Sequence, residues 1–105
     1  MIYTLTFNPA LDYAVYPSSL TLGKTNRSTE EHMDFGGKGI NVSRMLKKLG
    51  YDAYTYGFVG GYQGKMLCDM LEKEGISGNL FTQTAAETRL NVKITDENGI
   101  ETEIN

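Results

Sequence analysis

Between Asp34 and Arg44 the chain reads Asp34-Phe35-Gly36-Gly37-Lys38-Gly39-Ile40-Asn41-Val42-Ser43-Arg44, residue types whose order suits them to hold an anion. Three glycines in four positions remove the side chains that would keep a ligand away from main-chain N–H groups, and they open backbone conformations that other residues avoid. A helical pattern follows at once. Val42, Met45, Leu46 and Leu49 recur at i, i+3, i+4 and i+7, Ser43, Lys47 and Lys48 fall on the other side, and Gly50 stands where a left-handed stop belongs. The expected inner face is therefore the Val42–Leu49 stripe. Free amides, the positive end of a helix dipole and the Lys38 ammonium converge on one spot, which suits a phosphate.

The pattern matches neither standard nucleotide loop. The third glycine of G-x-G-x-x-G would fall at Val42, and no G-x-x-x-x-G-K-[ST] occurs, because Gly64-Lys65 is followed by Met66 and has Val59 where the upstream glycine belongs. The residues indicate an anion, not a nucleotide, and a glycine-rich turn also serves as a plain connection.

Bulk properties narrow the classes. The 105 residues make one small domain at most, with a modest core. A net charge of -3 with dispersed basic residues gives no field for a polyanion, so nucleic acid is not an expected partner. The single Cys68 cannot form an internal disulfide and fits a reducing compartment. No basic leader precedes an apolar run, and no stretch approaches the ~20 apolar residues of a membrane span. A cytoplasmic protein without membrane contact is expected.

The elements that must position the loop can be read in order. Tyr3, Leu5 and Phe7 alternate with threonines as a strand that Asn8-Pro9 ends, and Leu11 to Tyr16 is a second extended segment. Residues 17–25 read as loop and 26–35 as extended. After the first helix, Ala53–Val59 is a strand closed by Gly60-Gly61. A second helix turns Met66, Leu67, Met70 and Leu71 inward and stops at Gly75. Leu80–Thr82 adds a short strand. Arg89–Ile94 and Ile100–Ile104 alternate around Asn98-Gly99, a type I′ hairpin signal. The fold class is α/β, a parallel sheet with crossover helices plus a small antiparallel sheet. The end of the chain directly after a strand, with too few parallel strands for a buried sheet, leads us to expect an amino-terminal piece of a longer protein.

Several landmarks now coincide in order. They are Asn8-Pro9-Ala10-Leu11-Asp12, Asn26-Arg27, the block Gly36 to Arg44, Gly57-Phe58-Val59-Gly60-Gly61 with Gly64, and Thr88-Arg89-Leu90-Asn91-Val92. Together they resemble the amino-terminal third of the PfkB (ribokinase-like) carbohydrate kinases, in the branch of 1-phosphofructokinase and tagatose-6-phosphate kinase. The resemblance implies a kinase that uses ATP and Mg2+ to phosphorylate a free hydroxyl of a sugar phosphate. It also implies that residues 1–105 form the amino-terminal part of one ribokinase-like domain. Lid strands within about 10–35 and 88–105 would clasp a second subunit as a homodimer. The glycine loop would face the sugar, with ATP and Mg2+ held mainly by later sequence.

Carried over by position, Asp12 would accept hydrogen bonds from sugar hydroxyls, and Asn41 with the Gly36, Gly37, Lys38 and Gly39 stretch would grip the sugar. Arg27 and Arg89 would meet the substrate's existing phosphate, with Lys38 nearby. Carboxylates and amides do read vicinal hydroxyls, and guanidinium forks match phosphate. By residue type alone, Asp12 is an ordinary strand-edge carboxylate, the two arginines are surface cations, and Lys38 is a solvated loop residue. His32 in its polar run has no catalytic role. The family's catalytic aspartate and anion hole belong beyond residue 105, so no catalytic residue is expected in this chain, and turnover is expected only from the longer protein. A non-catalytic dimerisation or sugar-phosphate-binding module is the alternative of another class.

Overall fold

In the computed structural model, which describes residues 1–76 and 79–105, strand β1 (Ile2–Thr6) lies beside β4 (Ala53–Val59), and β4 lies beside β5 (Asn79–Gln83). Both pairings are parallel, with Thr4 opposite Thr55 and Gly57 opposite Phe81. Between β1 and β4 the chain forms β2 (Ala10–Pro17), β3 (Ser28–Gly36) and helix α1 (Lys38–Lys48), and α2 (Gly61–Lys73) links β4 to β5. The last strands, β6 (Arg89–Thr95) and β7 (Glu101–Ile104), complete a second sheet in the order β3-β2-β6-β7. A parallel sheet with crossover helices and a separate four-stranded sheet with an antiparallel pair is the architecture expected from the alternation of strand and helix patterns.

The chain divides into two compact units. The first comprises Met1–Leu11 and Phe35–Arg89, and the second Asp12–Asp34 and Leu90–Asn105.

In the first unit, strand alternation puts Thr4, Thr6, Ala53, Thr55 and Val59 on one buried face. Both helices cover this face: Ser43 of α1 reaches Thr4 and Thr55, and Gly64 of α2 rests against Val59. Ile40, Leu67 and Leu71 are fully buried there. The core of α2 follows its predicted stripe at Leu67 and Leu71, although Met66 is exposed.

Helix α1 departs from its predicted stripe. Val42, Met45 and Leu49 are 51%, 56% and 64% exposed, while Ile40 and Ser43 are buried. The physical reason is the hydroxyl cluster beneath the helix. Ser43 Oγ lies 2.7 Å from Thr4 Oγ1 and accepts a 2.9 Å hydrogen bond from Thr55 Oγ1, so a polar side is sunk into the sheet with its partners supplied. Hydropathy phasing cannot see that arrangement.

In the second unit, β6 and β7 pair antiparallel with Val92 opposite Ile104 and Thr95 opposite Glu101. The hairpin is as expected, but its turn is not type I′, which needs positive φ at both central residues. Asn98 has no positive φ; Gly99 alone takes one, at 78°. Asp96 organises the turn, its Oδ1 accepting from the N–H groups of Asn98 and Ile100, both at 2.9 Å.

Candidate functional site

The end of β1 and the start of α1 build a cleft in the first unit. Its walls are Leu5, Thr6, Phe7 and Asn8 from the strand and its exit, Gly37, Lys38 and Gly39 from the helix entry, and Arg89. Its volume is about 340 Å³. Ligands of open α/β sheets gather at the carboxyl ends of parallel strands, and this cleft lies at the carboxyl end of β1.

The glycines have separate tasks. Gly36 is buried and closes β3, so its amide is not part of an open loop, contrary to the sequence expectation. Gly37, with φ 145°, is the one residue between strand and helix. Gly39 sits inside the first turn, where a Cβ would come within 2.6 Å of the Leu5 carbonyl oxygen and 2.5 Å of Thr6 Oγ1. Its lack of a side chain lets α1 approach β1.

No side chain of α1's own entry caps it, and its first turn has no acidic residue. Thr6 takes the cap position from β1, its Oγ1 accepting from Ile40 N at 3.0 Å. The first N–H groups of a helix lack acceptors within it, so those of Lys38 and Gly39 remain for a ligand. With two cations on the walls and a helix start behind them, the cleft is built for negative charge.

A second hollow, about 270 Å³ and lined by Arg44, Lys47, Lys48, Glu74 and Ile76, also contains cations, but it has a carboxylate in its wall and two of its three cations are engaged. Arg44 pairs with Glu74 at 2.9 Å and lies over the Phe35 ring, and Lys47 donates to the Gly75 carbonyl at 2.7 Å. It is the weaker candidate for an anion.

The predicted site residues thus fall into groups. Gly37, Lys38, Gly39 and Arg89 line the cleft. Asn41 is exposed on α1, one turn after Gly37, whose carbonyl accepts from its N–H at 2.9 Å. Asp12 and Arg27 belong to the second unit, Arg27 fully at the surface. Asp12 is half-buried there and has a partner that the sequence reading overlooked: Asn91 Nδ2 donates to Asp12 Oδ1 at 3.0 Å, and Asn91 Oδ1 is buried without a hydrogen-bond partner. Flipping the amide would place two acceptors against each other, so the chemistry fixes this orientation. A carboxylate paired with an amide in this way has the chemistry to accept from hydroxyl groups. Asn91 shares the strand face of Arg89, two residues away, but that position does not point to Asp12, 79 residues earlier in the chain.

Also in the second unit, Lys93 has its pKa raised above the ordinary 10.5, first by its hydrogen bond to Glu103, then by the charges of Glu103, Glu101 and Asp12. Among the described residues, no group of three His, Cys, Asp or Glu could hold a metal ion, and no helix is long and apolar enough to cross a membrane.

A parallel sheet with a helix entry at the carboxyl end of β1, together with a small four-stranded sheet, makes this an α/β protein with the architecture of the ribokinase-like class. The chain belongs to the pfkB family of carbohydrate kinases, whose profile matches residues 5–105. It is 44% identical over its whole length to a 1-phosphofructokinase of Bacillus subtilis, of which it covers 34%. A D-tagatose-1-phosphate kinase of Bacillus licheniformis is 39% identical, matching 86% of this chain and 33% of its own length. The crystal structure of phosphofructokinase-2 from Escherichia coli in complex with fructose-6-phosphate superposes with a TM-score of 0.80 at 31% identity, covering 99% of this chain and 34% of that one. The chain thus spans about a third of the length of these relatives.

Proposed function

We propose that the whole protein is a cytoplasmic ATP- and Mg2+-dependent sugar-phosphate kinase, a 1-phosphofructokinase that converts fructose 1-phosphate to fructose 1,6-bisphosphate. This chain supplies the sugar-phosphate side. The observation that carries the reading is the cleft in which Lys38, Arg89 and the start of α1 converge without an acidic residue. Such a site suits the phosphate already on the sugar, which a guanidinium fork holds in a fixed orientation. Arg27 is a second candidate for that phosphate. Asp12, oriented by Asn91, accepts from sugar hydroxyls, and Asn41 together with the Gly37–Gly39 backbone completes the grip, Gly36 being withdrawn into β3. ATP and the group that takes the proton from the attacking hydroxyl belong to the rest of the protein. Phosphoryl transfer rests on positioning and charge stabilisation there.

The test is an assay of the full-length protein with ATP, Mg2+ and each candidate sugar. Turnover is expected on fructose 1-phosphate; failure on every ketose phosphate tried would remove the reading. The similarity to a D-tagatose-1-phosphate kinase favours a second reading within the class. It moves the alternative from the 6-phosphate named in the sequence reading towards the 1-phosphate of tagatose, so all three sugars belong in the assay. The outer strands of the four-stranded sheet, β3 and β7, are exposed over most of their length, which supports homodimerisation through that sheet. Sedimentation of the full-length protein checks it, a monomer being the contrary result.

A further inference from the structure

Arg89 reaches its place in the cleft at the end of a segment that is tied to the beginning of α2. Thr88 N donates to the Gly60 carbonyl and Gly60 N donates to Thr88 Oγ1, both at 2.9 Å, and Thr88 is buried. One residue earlier, Glu87 Oε1 accepts from Gln63 N at 2.8 Å. Helix α2 needs that carboxylate, because it has no acidic residue in its first turn and no side-chain cap at Gly60. A side chain 24 positions away in sequence therefore supplies both the acceptor and the negative charge. The two glycines make room for it. A Cβ on Gly60 would collide with the Ala86 carbonyl, and one on Gly61 would occupy the position of the Glu87 carboxylate. At the other end of the segment, Thr84 N donates to the Val59 carbonyl at 2.7 Å.

We propose that Glu87 is a positioning residue: by clamping the Glu87–Thr88 backbone onto the start of α2, it holds the Arg89 guanidinium at the cleft for the phosphate carried by the substrate. The proposal rests on the sugar-phosphate reading of that cleft. A guanidinium fork recognises phosphate only over a narrow range of positions, so the anchoring of the residues before it decides whether both of its arms engage.

The experiment uses the full-length protein and begins with the unmodified enzyme. If that enzyme turns over no ketose phosphate, the functional reading fails, separately from this proposal. With an active enzyme, Arg89→Ala should raise KM for the phosphorylated sugar about tenfold or more, the value of a lost charged hydrogen bond. Glu87→Ala should raise KM about fivefold with kcat little changed, as for one lost hydrogen bond. Glu87→Gln keeps an oxygen for the Gln63 N–H and should recover part of that loss. Combining Glu87→Ala with Arg89→Ala should add nothing to Arg89→Ala alone, because Glu87 acts through Arg89. A purely structural role would instead multiply the two effects. If Glu87→Ala does not fold, Glu87→Asp, which keeps the charge but is one methylene short, takes its place and should show the same KM rise. An unchanged KM in the Glu87 variants, multiplying effects in the double variant, or an unchanged KM in Arg89→Ala would each overturn the proposal.

Discussion

On the helix-covered face of the three-stranded sheet the inward residues include Thr4, Thr6 and Thr55, whereas the opposite face of the same strands carries Tyr3, Leu5, Tyr54, Tyr56 and Phe58, with Phe7 directly after β1, all substantially exposed. The usual sense of hydrophobic inside and polar outside is thus inverted across one sheet. On the covered side the hydroxyls have partners, in Ser43 for Thr4 and Thr55 and in the Ile40 N–H for Thr6, so their burial costs little. Small inward side chains also bring α1 close, and that approach sets the entry of the cleft. On the other side the rings are ordered against each other, Tyr3 on Tyr54 at 5.5 Å and Phe7 on Phe58 at 6.1 Å with planes 9° apart. Parallel sheets are ordinarily covered on both faces, and the relatives are about three times as long as this chain. The aromatic face has the character of a core awaiting a second layer.

That reading gives the largest expected effect. In the full-length protein, Phe58→Ala should cost about 3–5 kcal/mol, comparable to Ile40→Ala on the covered side at about 2–5 kcal/mol, as for a large side chain removed from a packed interior. Urea unfolding midpoints measure both. If Phe58→Ala costs less than about 1 kcal/mol while Ile40→Ala remains expensive, the face stays open in the whole protein, and the contrast between the two faces is permanent.

A smaller effect sharpens the covered side. Ser43→Ala removes the shared partner of two buried hydroxyls, and should destabilise the protein by about 1–3 kcal/mol, the cost of leaving polar groups unsatisfied. Thr55→Val keeps the shape and leaves the Thr4–Ser43 pair intact, so about 1 kcal/mol is expected. Ser43→Ala with no measurable loss of stability would show that the hydroxyl cluster fills space without holding the helix in place.

These contrasts also mark how far the sequence could be read. The order of strands and helices, the hairpin and the inner stripe of α2 at Leu67 and Leu71 follow from periodicity, because there burial and hydropathy agree. The face of α1 was misassigned because Ser43 is buried for its hydroxyl, and Val42, Met45 and Leu49 are apolar without being covered in these residues. Of the glycine block, Gly37, Lys38 and Gly39 could be placed at a helix entry from local pattern, but the withdrawal of Gly36 into β3 depends on where that strand ends. Asn91 and Glu87 were missed for a shared reason. Each acts on a residue far away in sequence, Asp12 and Gln63, and no local window contains the pair.

The smallest expected effect concerns charge instead of packing, and lies in the second unit. Lys93 stands directly opposite Glu103 in the β6–β7 register, with Nζ 3.4 Å from Glu103 Oε1 and 3.9 Å from Glu101 Oε1. Its hydrogen bond to Glu103 and the neighbouring carboxylates favour the ammonium and lift its pKa above 10.5, while burial works slightly against them. A group whose folded pKa is raised stabilises the fold fully below its unfolded value, and that contribution disappears as pH rises through the folded value. The contribution of Lys93 to the hairpin should therefore be constant through neutrality and fade only above pH 10.5. The pair is solvent-exposed, and salt should weaken the effect further. An NMR titration of the Lys93 side chain reads it directly: Glu103→Gln should bring the pKa down towards that of a free lysine, more than Glu101→Gln does, since Glu103 contributes both the hydrogen bond and the nearer charge. Equal shifts from the two substitutions would mean that the directly opposed pair has no advantage over the diagonal one, and that this edge of the sheet is held by its backbone ladder alone.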